Sequence, residues 1–341
     1  MTRITHRNRR GFPMASALMD GNIPEKLTGD STRGIVELDT EKWAIEGSSV
    51  ETTLAEYYGA EVGGSQLSPP RDPAELRTRL RESAPRLAEL TDHIRTQFDD
   101  GACGIFISKL GLAHLEVDQR RKAVFALAVM LGDVTETEPV DHRVVWDVRP
   151  QEAELRKFSM FSESDTEAAY HTDSTIVPIP ERYFLLYAVQ QAECGGGLST
   201  LRDGRAVKEE LEQTPDGRVA LRVLTDTALP VRIPKAFRKK YGVTAKDGYS
   251  YVPVFAEKPM WRWRKDKIEQ GLVAHPECAT PEVRKALDTV ADLLANRPGV
   301  RKPLPTDGIV IIDNHVAFHG RTAFTDLKRH LLRIRFQEPA A

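Results

Sequence analysis

The feature that most constrains the fold is a succession of short apolar runs separated by turns, from about residue 140 to the C-terminus. Three of these runs are predicted as β-strands: 142–150, 182–189 and 308–313, the last being Gly-Ile-Val-Ile-Ile-Asp. Gly, Pro and Asp punctuate the intervals between them, which is typical of turns in β-rich domains. The pattern therefore predicts a β-sandwich or a jelly-roll barrel.

Helical patterns surround these runs. Apolar residues recur at helical spacing from Leu76 to Phe98, with Asp72 as the predicted N-cap and Pro85 as a predicted break. Further helices are predicted at 52–58, 118–131 and 281–294, and a strand at 104–110. The predicted fold class is mixed α/β with a mainly β core, a double-stranded β-helix (jelly-roll) barrel with flanking helices.

The chain of 341 residues is long enough for one elaborated domain. We predict an N-terminal extension over residues 1–70 that packs on the core, and a single domain over 71–341. A segment at about 228–275 is predicted to be a lid-like insertion. It carries basic and aromatic residues that also suit nucleic acid, but the tract is short and the net charge is −2, so a lid is favoured over a nucleic-acid partner.

Composition indicates an ordinary intracellular protein. The three cysteines are widely spaced and odd in number, which favours a reducing compartment over a disulfide framework. No apolar run reaches transmembrane length. Arg9-Arg10 begins a segment that resembles a twin-arginine signal, but its apolar run is short and contains Pro13. We therefore expect a cytoplasmic location and no membrane partner.

Two histidines and one carboxylate form the candidate metal site. His171 and Asp173 are separated by one residue, so in an extended strand their side chains point the same way. His319 is a third candidate ligand from a distant strand. Such a set leaves about three positions open on an octahedral ion, as in non-haem Fe(II) oxygenases. The same spacing occurs at His114-x-Glu116 and His275-x-Glu277, where the context favours a structural role.

The motifs, in order along the chain, resemble those of the Fe(II)/2-oxoglutarate-dependent dioxygenases of the taurine dioxygenase/TfdA superfamily, in particular the clavaminate synthase-like branch. The resemblance covers roughly residues 100–337. It rests on His171-Thr172-Asp173, on the run Gly195-Gly196-Gly197-Leu198-Ser199-Thr200, on His319-Gly320-Arg321, and on Arg333, which follows His319 by 14 residues.

The resemblance implies roles for individual residues. His171, Asp173 and His319 would bind Fe(II), and Arg333 would bind the distal carboxylate of the co-substrate 2-oxoglutarate, with Arg335 as a fallback. The hydroxyl of Ser199, or alternatively of Thr200, would also bind 2-oxoglutarate. Candidate substrate contacts are Ser174, Arg335 and Gln337. The family's amino-acid hydroxylases often carry a second Arg where this chain has Gln337, so acid recognition at that position is in doubt.

The predicted function is oxidation of an unactivated C–H bond of a small molecule by O₂, with 2-oxoglutarate converted to succinate and carbon dioxide. Hydroxylation is the default outcome, and desaturation or cyclisation stays open. As implied by the family, the substrate is an amino acid or a derivative in specialised metabolism. Two alternatives remain: a zinc-type hydrolase with an activated water, and a non-catalytic jelly-roll binding protein, which would be expected to lack a ligand.

Overall fold

The computed structural model describes residues 32–38, 45–137, 143–151, 161–238, 248–256, 258 and 260–340. The twin-arginine segment and most of the predicted extension before residue 45 lie outside this part. The strands in chain order are β1 Ile35–Leu38, β2 Gly104–Ile107, β3 Asp133–Thr135, β4 Trp146–Val148, β5 Ala168–His171, β6 Tyr183–Gln190, β7 Ser199–Asp203, β8 Leu229–Arg232, β9 Tyr249–Val252, β10 Val300–Lys302, β11 Ile309–Asp313, β12 Ala317–Arg321 and β13 His330–Gln337.

The helices begin and end at sequence signals. They are α1 Gly47–Tyr58, α2 Pro73–Ser83, α3 Pro85–Asp99, α4 Val117–Leu131, α5 Gly204–Glu212, α6 Pro215–Asp226, α7 Lys235–Arg238, α8 Lys265–Ala274 and α9 Pro281–Asn296. Asp72 caps α2 by accepting a hydrogen bond from Glu75 N at 2.9 Å, as predicted. Pro85 divides the 73–99 run into two helices, because its ring cannot continue the first one.

Two sheets carry the site. One has seven strands in the order β1-β2-β11-β6-β13-β3, with β4 also paired to β13. The other has four strands in the order β10-β7-β12-β5. Only β1 and β2 pair in parallel among these described strands. Strands β8 and β9 form a separate two-stranded ribbon.

The seven-stranded sheet separates two hydrophobic cores, because its side chains alternate between the two faces. On one face, Leu332 and Ile334 of β13 pack with the helices α1 to α4. On the other, Phe184 and Val310 pack against Phe318 of the four-stranded sheet. Arg333 and Arg335 alternate with Leu332 and Ile334 along β13. Their side chains therefore lie on the face of the large sheet that is turned toward the four-stranded sheet.

The predicted mixed α/β class is confirmed by these sheets and flanking helices. The 228–275 segment contributes β8, β9, α7 and α8 within its described residues, and buries Trp261 and Trp263 in the same core as Phe318. Residue 142 of one predicted strand lies outside the described part, and the strand there is Trp146–Val148. No helix in the described ranges is long and apolar enough to cross a membrane.

Candidate metal centre

Pairing of β5 with β12 brings the two histidines together. His171, the last residue of β5, lies directly opposite His319 on β12, and their ring centroids are 4.3 Å apart. Gly320 permits this close pairing, since a Cβ there would lie 2.5 Å from the Ala168 carbonyl oxygen. The glycine after the distal histidine is therefore a steric requirement of the strand pair.

Asp173 completes the cluster from the loop after β5. Its Oδ1 is 3.6 Å from His171 Nε2 and 3.9 Å from His319 Nε2. Both distances fall within the span of about 4.4 Å that one ion bridges with bonds of about 2.2 Å. Within the described residues, no other group of three or more His, Cys, Asp or Glu gathers its ligand atoms in this way. The three side chains thus fit one metal ion.

The protonation states suit a cation. Burial lowers the pKa of His171 to about 4, with a further contribution from Arg264. Burial and the neighbouring His171 hold the pKa of His319 well below its usual range. Burial opposes ionisation of Asp173, but Arg335 and Arg333 outweigh it and lower the pKa of that carboxyl strongly. Two neutral imidazoles and one carboxylate are the forms that bind divalent metals.

The backbone of Asp173 is held by a residue that sequence reasoning missed. Asn314, in the turn after β11, accepts a hydrogen bond from Asp173 N at 2.7 Å and donates to Asp173 O at 3.2 Å. Its amide also donates to Glu181 O at 3.0 Å. Ser174 then turns the chain with φ 54°. Asp173 therefore reaches the histidines from a turn, not from the extended strand that its spacing suggested.

The arginines of β13 approach the outer oxygen of Asp173. Arg335 Nη2 is 2.8 Å and Arg333 Nη1 is 3.5 Å from Asp173 Oδ2. Gln337 lies farther along: its Oε1 accepts from Arg182 N at 3.0 Å and its Nε2 donates to Pro180 O at 2.9 Å. The amide at position 337 therefore fastens the 180–182 backbone.

Among the remaining substrate candidates, Ser174 Oγ is buried and has no hydrogen-bond partner in the described part of the chain. His315, four residues before His319, is used elsewhere, since its Nε2 lies 3.0 Å from Pro180 O. The triad therefore contains His319 and excludes His315.

The two hydroxyl candidates lie on opposite faces of β7. Ser199 pairs with Arg321 and Thr200 with Gly320, while Leu201 pairs with His319. Because strand side chains alternate, Ser199 shares the face of Leu201, which packs in the core between the sheets. Thr200 shares the opposite face. This placement favours Ser199 as the hydroxyl that faces the site.

A further buried arginine lies beside the glycine turn. Arg329, in the turn before β13, is 4% exposed, and its Nε would be 3.2 Å from a Cβ on Gly197. Its guanidinium stacks on Phe324 at 5.1 Å, and Arg321 stacks on the same ring at 4.7 Å. Burial lowers the pKa of Arg329 to about 9, and Arg321 adds to this effect. The sequence alone indicates no specific role for Arg329.

The insertion is joined to the metal ligands through Thr172. Its backbone N donates to Trp263 O at 2.9 Å, and its hydroxyl donates to Trp261 O at 3.0 Å and accepts from Trp263 N at 2.9 Å. Arg264 follows and stacks over Phe161, whose ring centroid is 5.2 Å from that of His171. Residues 261–264 therefore pack directly beside the triad. The sequence gives no signal of this contact, because it joins residues about 90 positions apart.

A buried site of two histidines and one carboxylate, set between two facing sheets, is the arrangement of non-haem iron oxygenases. The taurine catabolism dioxygenase TauD, TfdA family matches residues 68–335. The chain belongs to this family, which confirms the expected superfamily and the expectation of a dioxygenase. The clavaminate synthase-like branch stays a prediction. No curated protein sequence matches significantly.

Solved structures of oxygenases share the fold. An asparagine oxygenase (AsnO) is similar with a TM-score of 0.64 and 19% identity, covering 90% of this chain and 93% of its own. The non-heme iron oxygenase OrfP in complex with Fe and alpha-ketoglutaric acid gives a TM-score of 0.61 at 15% identity, covering 88% of this chain and 94% of its own. OrfP with Fe, succinate and (3R,4R)-dihydroxy-L-Arg gives 0.61 at 16% identity, with coverages of 89% and 94%.

Proposed function

We propose that His171, Asp173 and His319 hold one Fe(II) and that the enzyme oxidises a C–H bond of a small molecule with 2-oxoglutarate and O₂. The observation that carries this proposal is the buried triad, with its neutral imidazoles and ionised carboxylate, in a chain of the TauD, TfdA family. Bound Fe(II) supplies the redox chemistry that couples decarboxylation of 2-oxoglutarate to oxidation of the substrate. The reaction converts 2-oxoglutarate, O₂ and the substrate into succinate, carbon dioxide and the hydroxylated substrate.

The two facing sheets are proposed to form the double-stranded β-helix of the predicted jelly roll. Support comes from the core shared by Phe184 and Val310 of one sheet with Phe318 of the other. In this arrangement β5 and β12 present the two histidines, and β13 presents its arginines from the opposite sheet. The proposed unit is a single domain over 71–341 with 228–275 as a wall or lid.

The distal carboxylate of 2-oxoglutarate requires a guanidinium, and two arginines are candidates. The predicted residue, Arg333, lies 3.5 Å from the metal ligand Asp173. Arg329 lies beside Gly197, two residues before Ser199, and has no carboxylate partner in the described ranges. A co-substrate that chelated iron with its 2-oxo acid end would extend away from the metal. Arg329 precedes Arg333 and Arg335 in the chain, just before β13, and those two arginines approach Asp173. We propose Arg329 with Ser199 as the anchor and retain Arg333 as the alternative.

The substrate is proposed to be an amino acid or a derivative, which the hydroxylated amino acids in the asparagine oxygenase and OrfP structures support. If Arg329 binds the co-substrate, Arg333 stands near Asp173 and suits the acid group of the substrate. Arg335 is the weaker candidate, because it already donates to Asp173 Oδ2. Gln337 is engaged with the 180–182 backbone, which makes it a weaker candidate. A cytoplasmic setting is proposed with this function.

The test is anaerobic titration of the apo-protein with Fe(II) and then with 2-oxoglutarate. The signal that is measured is the weak visible charge-transfer band of the chelate. The wild-type protein is expected to give the band and His171→Ala to lose it. Arg329→Gln is expected to weaken 2-oxoglutarate binding by about a hundredfold, since each hydrogen bond to a charged group contributes about 1.5–3 kcal/mol. Arg333→Gln is the matched comparison and Arg284→Gln, on the exposed face of α9, is the control.

The outcomes separate the alternatives. A larger loss in Arg333→Gln than in Arg329→Gln would return the anchor to Arg333. Absence of the band in wild type, together with tight zinc binding, would favour the hydrolase. Metal binding without any 2-oxoglutarate turnover or chelate would leave the binding-protein alternative.

A further inference from the structure

The two oxygens of Asp173 have different surroundings. Oδ1 is the atom near both imidazoles, at 3.6 Å from His171 Nε2 and 3.9 Å from His319 Nε2. Oδ2 points away from the histidines and accepts a hydrogen bond from Arg335 Nη2 at 2.8 Å. The side chains of Asp173 and Arg335 are only 11% and 10% exposed. One oxygen of this carboxylate, Oδ1, therefore faces the two imidazoles, and the other, Oδ2, faces Arg335.

Arg335 is mounted on a rigid support. It lies within β13 and pairs with Phe184 of β6 on one side and with Thr135 of β3 on the other. Phe184 in turn packs against the His319 ring, at 4.6 Å between centroids. Because β13 is paired on both sides, the backbone from which Arg335 reaches Oδ2 is held in place. The backbone of Asp173 is held in turn by Asn314, so the hydrogen bond joins two supported residues.

The neighbouring Arg333 does not duplicate this contact. Its Nη1 lies 3.5 Å from the same oxygen, which is beyond the usual range of a charge-assisted hydrogen bond. Its pKa is lowered to about 10, first by burial and then by Arg335. Arg333 therefore adds positive charge near Asp173, while Arg335 makes the hydrogen bond that orients the carboxylate.

We propose that Arg335 is a positioning residue that holds Oδ2 and so restricts Asp173 to ligation through Oδ1 alone. The inference rests on the proposed Fe(II) site. A carboxylate that turned to bind with both oxygens would occupy a fourth position on a six-coordinate ion. One-oxygen ligation leaves three positions, two for the chelating end of 2-oxoglutarate and one for O₂. Arg335 thereby protects the co-substrate position.

The test uses Co(II), whose visible spectrum reports coordination number, in the full-length protein. In Arg335→Gln, Asp173 is free to bind with both oxygens and one positive charge beside it is gone. The expected result is Co(II) affinity at least equal to wild type and a changed Co(II) spectrum before 2-oxoglutarate is added. 2-Oxoglutarate binding is expected to weaken about tenfold, because the second carboxylate oxygen competes with the co-substrate for one coordination position. Arg335→Lys retains one donor and is expected to recover part of the wild-type spectrum and affinity.

A merely structural role for Arg335 gives a different pattern, in which Co(II) and 2-oxoglutarate affinities fall together and thermal stability falls with them. That pattern, or a wild-type Co(II) spectrum in Arg335→Gln, overturns the inference. If Arg335→Gln does not fold, Arg335→Lys decides by the same spectrum. If the wild-type protein binds metal but shows no chelate band, the proposed function is wrong, while the role of Arg335 at the metal site can still be tested with Co(II). If the wild-type protein binds no metal, both the proposed function and the inference about Arg335 are wrong.

Discussion

At the scale of single residues, Asp173 is held from three sides. Asn314 fixes its backbone through two hydrogen bonds, Arg335 fixes one carboxylate oxygen, and the imidazole pair faces the other. Each contact involves a buried group, so removing one partner leaves the other without water to replace it. The position of the Asp173 carboxylate therefore depends on residues outside the triad.

Asn314→Ala tests the backbone contact. The variant leaves Asp173 N–H and Glu181 O without their partner in a site where Asn314 is 2% exposed. We expect a loss of about 2–3 kcal/mol in the free energy of unfolding, measured in urea, because an unpaired buried polar group costs about 1–3 kcal/mol. Metal affinity should fall with it. Asn296→Ala, at the exposed end of α9, is the control and should change neither quantity.

If Asn314→Ala binds Co(II) as tightly as wild type, the contact with Asp173 is not needed to hold the ligand. A loss of metal affinity without a loss of stability would instead indicate that Asn314 only holds the loop that contains Asp173 and does not stabilise the fold.

The three candidate ligands can be proposed from the sequence, while their supports cannot. Residue type, spacing and the family resemblance point to His171, Asp173 and His319, and the structure brings the three side chains together. Asn314 reads as an ordinary turn residue, and nothing in a single sequence says which backbone it meets 141 residues away. Strand alternation alone puts Arg333 and Arg335 on one face of β13. It did not indicate which arginine would meet Asp173, because that depends on the pairing of β13 with β6.

At the scale of elements, residues 261–264 link the 228–275 segment to the triad. Thr172, the residue between His171 and Asp173, makes three hydrogen bonds to the backbone of Trp261 and Trp263. The helix and strand bounds were largely predictable, since prolines, caps and apolar periodicity act locally. This contact was not, because it joins elements that are about 90 residues apart.

Thr172→Val tests the link. Valine keeps the shape but removes the hydroxyl, so Trp261 O and Trp263 N lose their partner. We expect weaker 2-oxoglutarate and substrate binding, Co(II) affinity within about threefold of wild type, and a loss of about 1–3 kcal/mol in the free energy of unfolding. Thr172→Ser keeps the hydroxyl and is expected to remain close to wild type. Equal defects in the two variants would point to the methyl group, and the hydrogen-bonded link would be rejected.

At the scale of the whole molecule, the insertion and the two sheets share one hydrophobic core. Val231 and Trp263 from the 228–275 segment are buried in the same cluster as Phe318 and Val310. The opposite face of the large sheet supports the helical core, and β6 and β13 contribute side chains to both. Neither core can lose its packing without exposing the sheet that carries the arginines.

This shared packing predicts cooperative unfolding with a ligand-dependent midpoint. Calorimetry of the full chain should give one main transition, and anaerobic Co(II) with 2-oxoglutarate at a hundred times the dissociation constant should stabilise it by about 2.7 kcal/mol. For a chain of this size we expect a rise of a few degrees in Tm. His171→Ala should show the transition without the ligand shift. An early transition that ligands leave unchanged would mean that the 228–275 segment unfolds separately, and the single-domain proposal for 71–341 would then be wrong.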